Sequence, residues 1–136
     1  MMDTVKVYIV RESDGTYSSY MDDTANLPYG LVGEGNTVAE AMDEWYRAYN
    51  DMRKLFEEEG KKFVEAEFTF AYDLSSFLLY YAGKLTYAGL AKLTGVSAAQ
   101  LSQYANGYRH PSPKTTAKIQ TALHSFGQEL SQLQLV

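Results

Sequence analysis

The residues of this chain whose types and spacing could do chemistry fall close together, between Thr86 and Arg109. Gln103 carries an amide that can donate to and accept from the edge of an adenine, a bidentate pairing worth about 1–3 kcal/mol of discrimination. Gln100 offers the same group three residues earlier, while Ala98 and Ala99 offer only methyls, whose counterpart in a DNA groove is the thymine methyl. Thr86, Ser97, Asn106, Tyr108 and Arg109 bring hydroxyls, an amide and a guanidinium suited to phosphate oxygens, and Lys114 is near in sequence. This is the chemistry of recognition rather than of bond breaking. On spacing alone, the two glutamines also read as solvated helix surface.

Such side chains need elements to hold them. Thr86 is an N-cap that opens a short helix carrying Leu90 and Ala91, and Gly95 supplies the positive φ of a tight turn. Ser97 caps a second helix at once, in which Val96 and Leu101 point back at Leu90 and Leu93 while Tyr104 closes the far end. Ala91 is small where the two helices approach. A plain αα-hairpin shares the glycine turn. The tail Asn106-Gly107-Tyr108-Arg109-His110-Pro111 goes further: it resembles the NGxRxP ending by which DNA-binding domains of the Cro and phage-repressor kind leave their recognition helix.

An alanine four residues before the turn glycine and a branched apolar residue six after it make Thr86–Gly107 resemble the DNA-binding domains of Cro and the phage repressors. The resemblance implies base contacts from Ala98, Ala99, Gln100 and Gln103, and a homodimer or higher homo-oligomer on palindromic operator DNA. Two positions depart from the pattern. Thr94 stands where an apolar residue is usual, and Tyr87 stands where a glutamine often touches phosphate.

Length and composition bound the alternatives. At 136 residues and 46% hydrophobic, the chain can hold one ordinary domain or two small ones with cores of their own. No apolar run approaches the roughly 18 residues of a membrane span, and the start MMDTVKVYIV lacks a basic lead before a long apolar stretch. A cytoplasmic protein without membrane partners is expected. The absence of cysteine removes disulfides, thiolate nucleophiles and cysteine metal sites, and two histidines leave little for catalysis. Neither metal nor cofactor is implied. The net charge of −5 conceals a division: residues 1–72 carry net −8 and residues 73–136 net +3. A DNA-facing module joined to a module for another partner would show this asymmetry, as would an acidic domain that is merely well solvated.

In the first half, alternation predicts a strand over Thr4–Val10, an Asp14-Gly15 turn in which both residues tolerate positive φ, and a returning strand Thr16–Met21. Asp22–Gly30 reads as a loop and Leu31–Glu34 as a third strand. Thr37-Val38-Ala39-Glu40 is a capping box opening a helix whose apolar stripe includes Val38, Ala41, Met42, Trp45, Tyr49 and Met52, ended by Gly60. Phe63–Tyr72 is the fourth strand, with Val64, Ala66, Phe68, Phe70 and Tyr72 on the helix-facing side. The order predicts an α+β unit, a βββαβ antiparallel sheet with one packed helix.

At Leu27-Pro28-Tyr29-Gly30, Gly33-Glu34-Gly35-Asn36-Thr37 and Glu40-Ala41 this half is similar to the HicB antitoxin domain, although its loop reads Pro-Tyr-Gly in place of Pro-Gly. The resemblance implies a partial ribonuclease-H-like sheet, a small RNA-cleaving HicA-like toxin as partner, and repression of the chain's own operon. An active nuclease is not expected. Its two metal ions need converging carboxylates, whereas the first strand has none between Thr4 and Val10, and Glu65 and Glu67 face away from the predicted core. Gly33-x-Gly35 lacks the third glycine, lysine and preceding parallel strand of a phosphate loop.

For the second half, the sequence predicts an Asp73-capped helix from Leu74 to about Gly83, whose Phe77, Leu78 and Tyr81 pack on the helices that follow. Lys114–Phe126 forms a helix after Pro111 and Pro113, and Gln128–Leu135 is a separate apolar segment for the domain's own core or a dimer seam. The expectation is thus a HicB-like domain over 1–72 and an all-α helix-turn-helix domain over 73–136: an antitoxin and autorepressor. The alternative is a stand-alone helix-turn-helix regulator whose N-terminal domain is a dimerisation or ligand module.

Overall fold

The computed structural model describes residues 2–136. Its first strand, β1 (Asp3–Arg11), buries Val5, Val7 and Ile9 and leaves Thr4 and Lys6 exposed, as the two-residue period of a strand requires. It pairs antiparallel with β2 (Tyr17–Met21), Val7 facing Met21 and Arg11 facing Tyr17. The connection closes through the Glu12 N–H on the Thr16 carbonyl (2.8 Å) and the Gly15 N–H on the Glu12 carbonyl (3.0 Å). Gly15 alone takes positive φ, +86°, so Asp14 does not adopt the conformation expected of it. Its carboxylate instead accepts from the Thr16 N–H (2.9 Å) and hydroxyl (2.6 Å), bonds that hold Asp14 below the usual carboxylate range.

Strand β3 (Val32–Gly35) continues the sheet antiparallel to β2, followed by helix α1 (Val38–Glu58) and strand β4 (Ala66–Tyr72). The strand order is β3-β2-β1-β4, and β4 lies parallel to β1, with Asp3 opposite Ala66 and Ile9 opposite Tyr72. The sheet is therefore mixed rather than wholly antiparallel. The reason is α1, about 30 Å long at 1.5 Å per residue, which carries the chain back along the sheet so that β4 enters in the direction of β1.

Both ends of α1 are fixed locally. The Thr37 hydroxyl accepts the Glu40 N–H (3.1 Å), and the Glu40 carboxylate reaches back to the Asn36 N–H (2.6 Å), one residue before the cap. At the other end Gly60 (φ +68°) donates to Glu57 and Lys61 donates to Phe56, a Schellman closure. Between them Ala41 and Trp45 are fully buried, with Phe68 edge-on to Trp45 at 5.4 Å and to Tyr49 at 5.1 Å. Tyr29, the residue that interrupts Pro-Gly, fills the end of this core. It stacks on Phe63 at 5.1 Å and donates to the Val64 carbonyl at 2.6 Å. Strand β3 lies against α1 so closely that a Cβ at Gly33 would meet the Ala41 carbonyl oxygen at 2.6 Å, the Trp45 nitrogen at 2.9 Å and the Ser19 hydroxyl.

The chain divides into two compact units, Met1–Tyr80 and Tyr81–Val136. Helix α2 (Leu74–Tyr80) belongs to the first, not to the helical unit as the sequence predicts. It packs on β1, α1 and β4, with Leu78 buried. The Asp73 carboxylate explains the allegiance: one oxygen caps the helix at the Ser76 N–H (2.8 Å) and the other accepts the Arg11 N–H at the end of β1 (3.0 Å). Tyr80 stacks on Tyr72 at 5.9 Å.

The second unit contains α3 (Tyr87–Thr94), α4 (Ala98–Ala105) and α5 (Pro113–Gln132). Ser112 caps α5 with Pro113 in its first turn, where a missing N–H costs nothing. The helix runs unbroken through Gly127, so the two segments expected after Pro113 are one. A single glycine costs a helix about 1 kcal/mol, which its neighbours offset. Among the described residues no helix is long and apolar enough to cross a membrane.

Candidate nucleic-acid interface

Two caps and one glycine build the site. The Thr86 hydroxyl accepts the Gly89 N–H at 3.0 Å to start α3, and Gly95 ends it at φ +76° with its N–H on the Ala91 carbonyl. The Ser97 hydroxyl accepts the Gln100 N–H at 3.1 Å to start α4. Leu90, Val96, Leu101, Tyr104 and Ile119 are buried behind the two helices, so α4 is braced from within its own unit. Thr94 is buried too, and its hydroxyl does what an apolar side chain could not. It donates to the Leu90 carbonyl (2.7 Å) and accepts the Val96 N–H (3.1 Å), tying the end of α3 to the turn.

The residues singled out from the sequence then separate by surroundings. Ala98, Ala99 and Gln103 are exposed along α4, and Ser97 and Thr86 are exposed although their hydroxyls are spent on capping. Tyr87 is half-buried in the first turn of α3. Gln100 is not simply outward: it is half-buried, and its amide nitrogen donates to the Tyr104 hydroxyl at 2.8 Å. Beyond α4, the Asn106 side chain accepts the Tyr108 N–H at 3.1 Å, Gly107 turns the chain at φ +84°, and the Arg109 N–H reaches the Gln103 carbonyl at 3.2 Å. This leaves Tyr108 84% exposed beside the exposed Arg109, at the end of α4 opposite Ser97.

The electrostatics match an anionic partner. The unit Tyr81–Val136 carries Lys84, Lys92, Arg109, Lys114 and Lys118 against Glu129, net +4, while Met1–Tyr80 carries net −9. Among the described residues the ion pairs, Arg47–Glu44, Arg53–Glu65 and Lys61–Glu59, all lie in the first unit. Lys118 went unnoticed in the sequence. Its ammonium lies 3.3 Å from where a Cβ on Gly95 would stand, over the turn, and no local pattern links residues so far apart.

Residues 82–125 match the helix-turn-helix family model. No curated protein and no solved structure matches the chain. The matched span begins just before the Thr86 cap, contains α3, the Gly95 turn, α4 and the Arg109 loop, and ends within α5. It favours a regulator over an enzyme. A capped, braced helix pair in a cationic unit, matched over this span, is a helix-turn-helix domain, and it supports a DNA-binding transcriptional regulator.

Proposed function

We propose that the chain is an antitoxin that represses its own operon. The helix-turn-helix unit binds operator DNA as a homodimer or higher homo-oligomer, with bases met by Ala98, Ala99, Gln100 and Gln103. Phosphates are met by Thr86, Tyr87, Ser97, Asn106, Tyr108 and Arg109. The sheet unit holds a small basic RNA-cleaving toxin of the HicA kind, in the cytoplasm and without a cofactor. The observation that carries the reading is the open face of α4, where Ala98, Ala99 and Gln103 stand exposed on a helix fixed from behind.

The toxin half is supported by the HicB-like motifs and by charge. A ribonuclease must present cations to RNA, and a unit of net −9 competes for those cations. An open groove of about 950 Å³ gathers Glu12, Asp14, Glu34, Glu40, Asp43 and Glu44 around a single cation, Arg47, which pairs with Glu44 at 2.9 Å. Of the aromatic residues open to such a role, Tyr20 is exposed and Tyr17 is buried.

A tagged full-length chain recovered from its native host, with bound protein and bound DNA both sequenced, tests the proposal. The expected result is a small basic protein encoded beside this chain, together with a palindrome upstream of the shared operon. Recovery of the DNA without a protein partner would leave a stand-alone regulator, its N-terminal domain a dimerisation or ligand module. Recovery of neither would remove both halves.

A further inference from the structure

Strand β3 ends the sheet. It pairs with β2 on one side, Glu34 opposite Ser18 and Val32 opposite Tyr20, and with no strand on the other. Alternate residues of such a strand turn their N–H and C=O away from the partner, and among the described residues none of these groups on Val32–Gly35 meets another donor or acceptor. The opposite edge is less open, since the Ala66 N–H of β4 is taken by the Tyr49 hydroxyl at 3.1 Å. Helix α1 stands directly beside the free edge, because Gly33 and Gly35 have no side chains to hold it off: a Cβ at Gly35 would meet the Ala41 nitrogen at 2.9 Å.

The acidic groove runs past this edge, its lining joining Glu34 and Gly35 to Asp43 and Glu44 on α1 and to Glu12 in the β1–β2 connection. Three of its carboxylates are engaged, Asp14 with Thr16, Glu40 with the Asn36 N–H and Glu44 with Arg47. Glu12, Glu34 and Asp43 are exposed, and their carboxylates bond nothing among the described residues.

We propose that an extended basic segment of a partner protein adds to β3 as the next strand of the sheet, its backbone extending the ladder and its cations pairing with Glu12, Glu34 and Asp43. The two observations select this occupant together. An unpaired edge accepts a strand, since an extended backbone is what matches its row of donors and acceptors. The acids decide which strand. A second copy would bring the same carboxylates to the contact, whereas a segment with cations at alternate positions, about 7 Å apart along one face, finds a partner for each. A nucleic acid is repelled by a unit of net −9, and among the described residues no three acids are grouped so as to hold a metal ion. The inference rests on the antitoxin reading for the identity of the partner, and deepens it by naming the edge that partner occupies.

A short fluorescent peptide in which lysine alternates with threonine, titrated into the full chain, tests it beside the same peptide with every backbone nitrogen methylated. The unmodified peptide should bind saturably and slow amide exchange in Val32–Gly35. The methylated one has the same charge and no N–H to donate, and should bind at least about tenfold more weakly. E34K/D43K should weaken the unmodified peptide at least about tenfold, while E57K/E58K, an equal change of charge at exposed positions outside the groove, should leave it nearly unchanged. Failure to bind overturns the inference. So does equal binding of the methylated peptide, or equal loss in E57K/E58K, either of which reduces the contact to net charge. Protection of the β3 amides that grows with the concentration of the chain alone gives the edge to a second copy and overturns it as well. Recovery from the native host separates the two claims. A basic protein retained by E34K/D43K docks elsewhere, which removes the edge site and leaves the antitoxin, while a peptide held at β3 with no such protein recovered keeps the site and removes the antitoxin.

Discussion

In the proposed interface, Gln103 reads bases and Arg109 holds phosphate. Gln103→Ala should flatten the ranking of base-substituted duplexes, while Arg109→Ala should weaken all of them alike, as a titration against a panel of sites would report; equal loss of ranking in both would contradict the assignment. The Gln100 amide is held by the buried Tyr104 hydroxyl, so in the proposed interface part of its rotamer freedom is spent before DNA arrives. Thr94 has a stability role of its own. Thr94→Val leaves the buried Val96 N–H without its acceptor and should cost about 1–3 kcal/mol in denaturant unfolding of the helical unit, while Thr94→Ser keeps both bonds and most of the stability. In the other unit, burial pushes the Tyr29 hydroxyl up to about 12 from its ordinary 10. Because the folded state holds this proton more tightly, its contribution is complete below pH 10 and is lost as pH rises from 10 to 12. Tyr29→Phe should remove that part of the alkaline fall in a pH series of unfolding curves.

Among the elements, the closest fit is β3 on α1. Gly33→Ala should cost about 1–3 kcal/mol, toward the upper end because backbone atoms stand in the way, while Gly30→Ala meets nothing within 4 Å and should be near neutral. Thermal unfolding of the pair would distinguish them. The Gly33-x-Gly35 spacing, set aside as a phosphate loop, thus has its reason in strand-on-helix contact. What local residues decide was legible: the capping of α1 by Thr37, the alternation of β1, the aromatic face of β4, and the Gly95 turn between α3 and α4. What distant residues decide was not. The direction of β4 depends on the length of α1, and the place of α2 on an Asp73–Arg11 bond across 62 positions. The continuity of α5 was missed because Gly127 looks like a stop, yet it lacks the positive φ that a helix-ending glycine takes in this chain.

At the scale of the molecule, charge is partitioned by unit: net −9 in Met1–Tyr80 and net +4 in Tyr81–Val136. With five cations in the helical unit, the slope of log affinity against log salt should be no steeper than about −4.5 per copy. Fluorescence titrations at several salt concentrations would check this, and a steeper slope would mean that first-unit cations also reach phosphate. The parallel pairing of β1 with β4 bears instead on how the molecule is made, because Asp3 finds its partner only at Ala66. At about 5–20 residues per second, a ribosome leaves one border of β1 bare for roughly 3–13 s before that partner has even been polymerised. Until then the first unit cannot finish folding, and the nascent chain must be kept from sticking to its neighbours on the polysome.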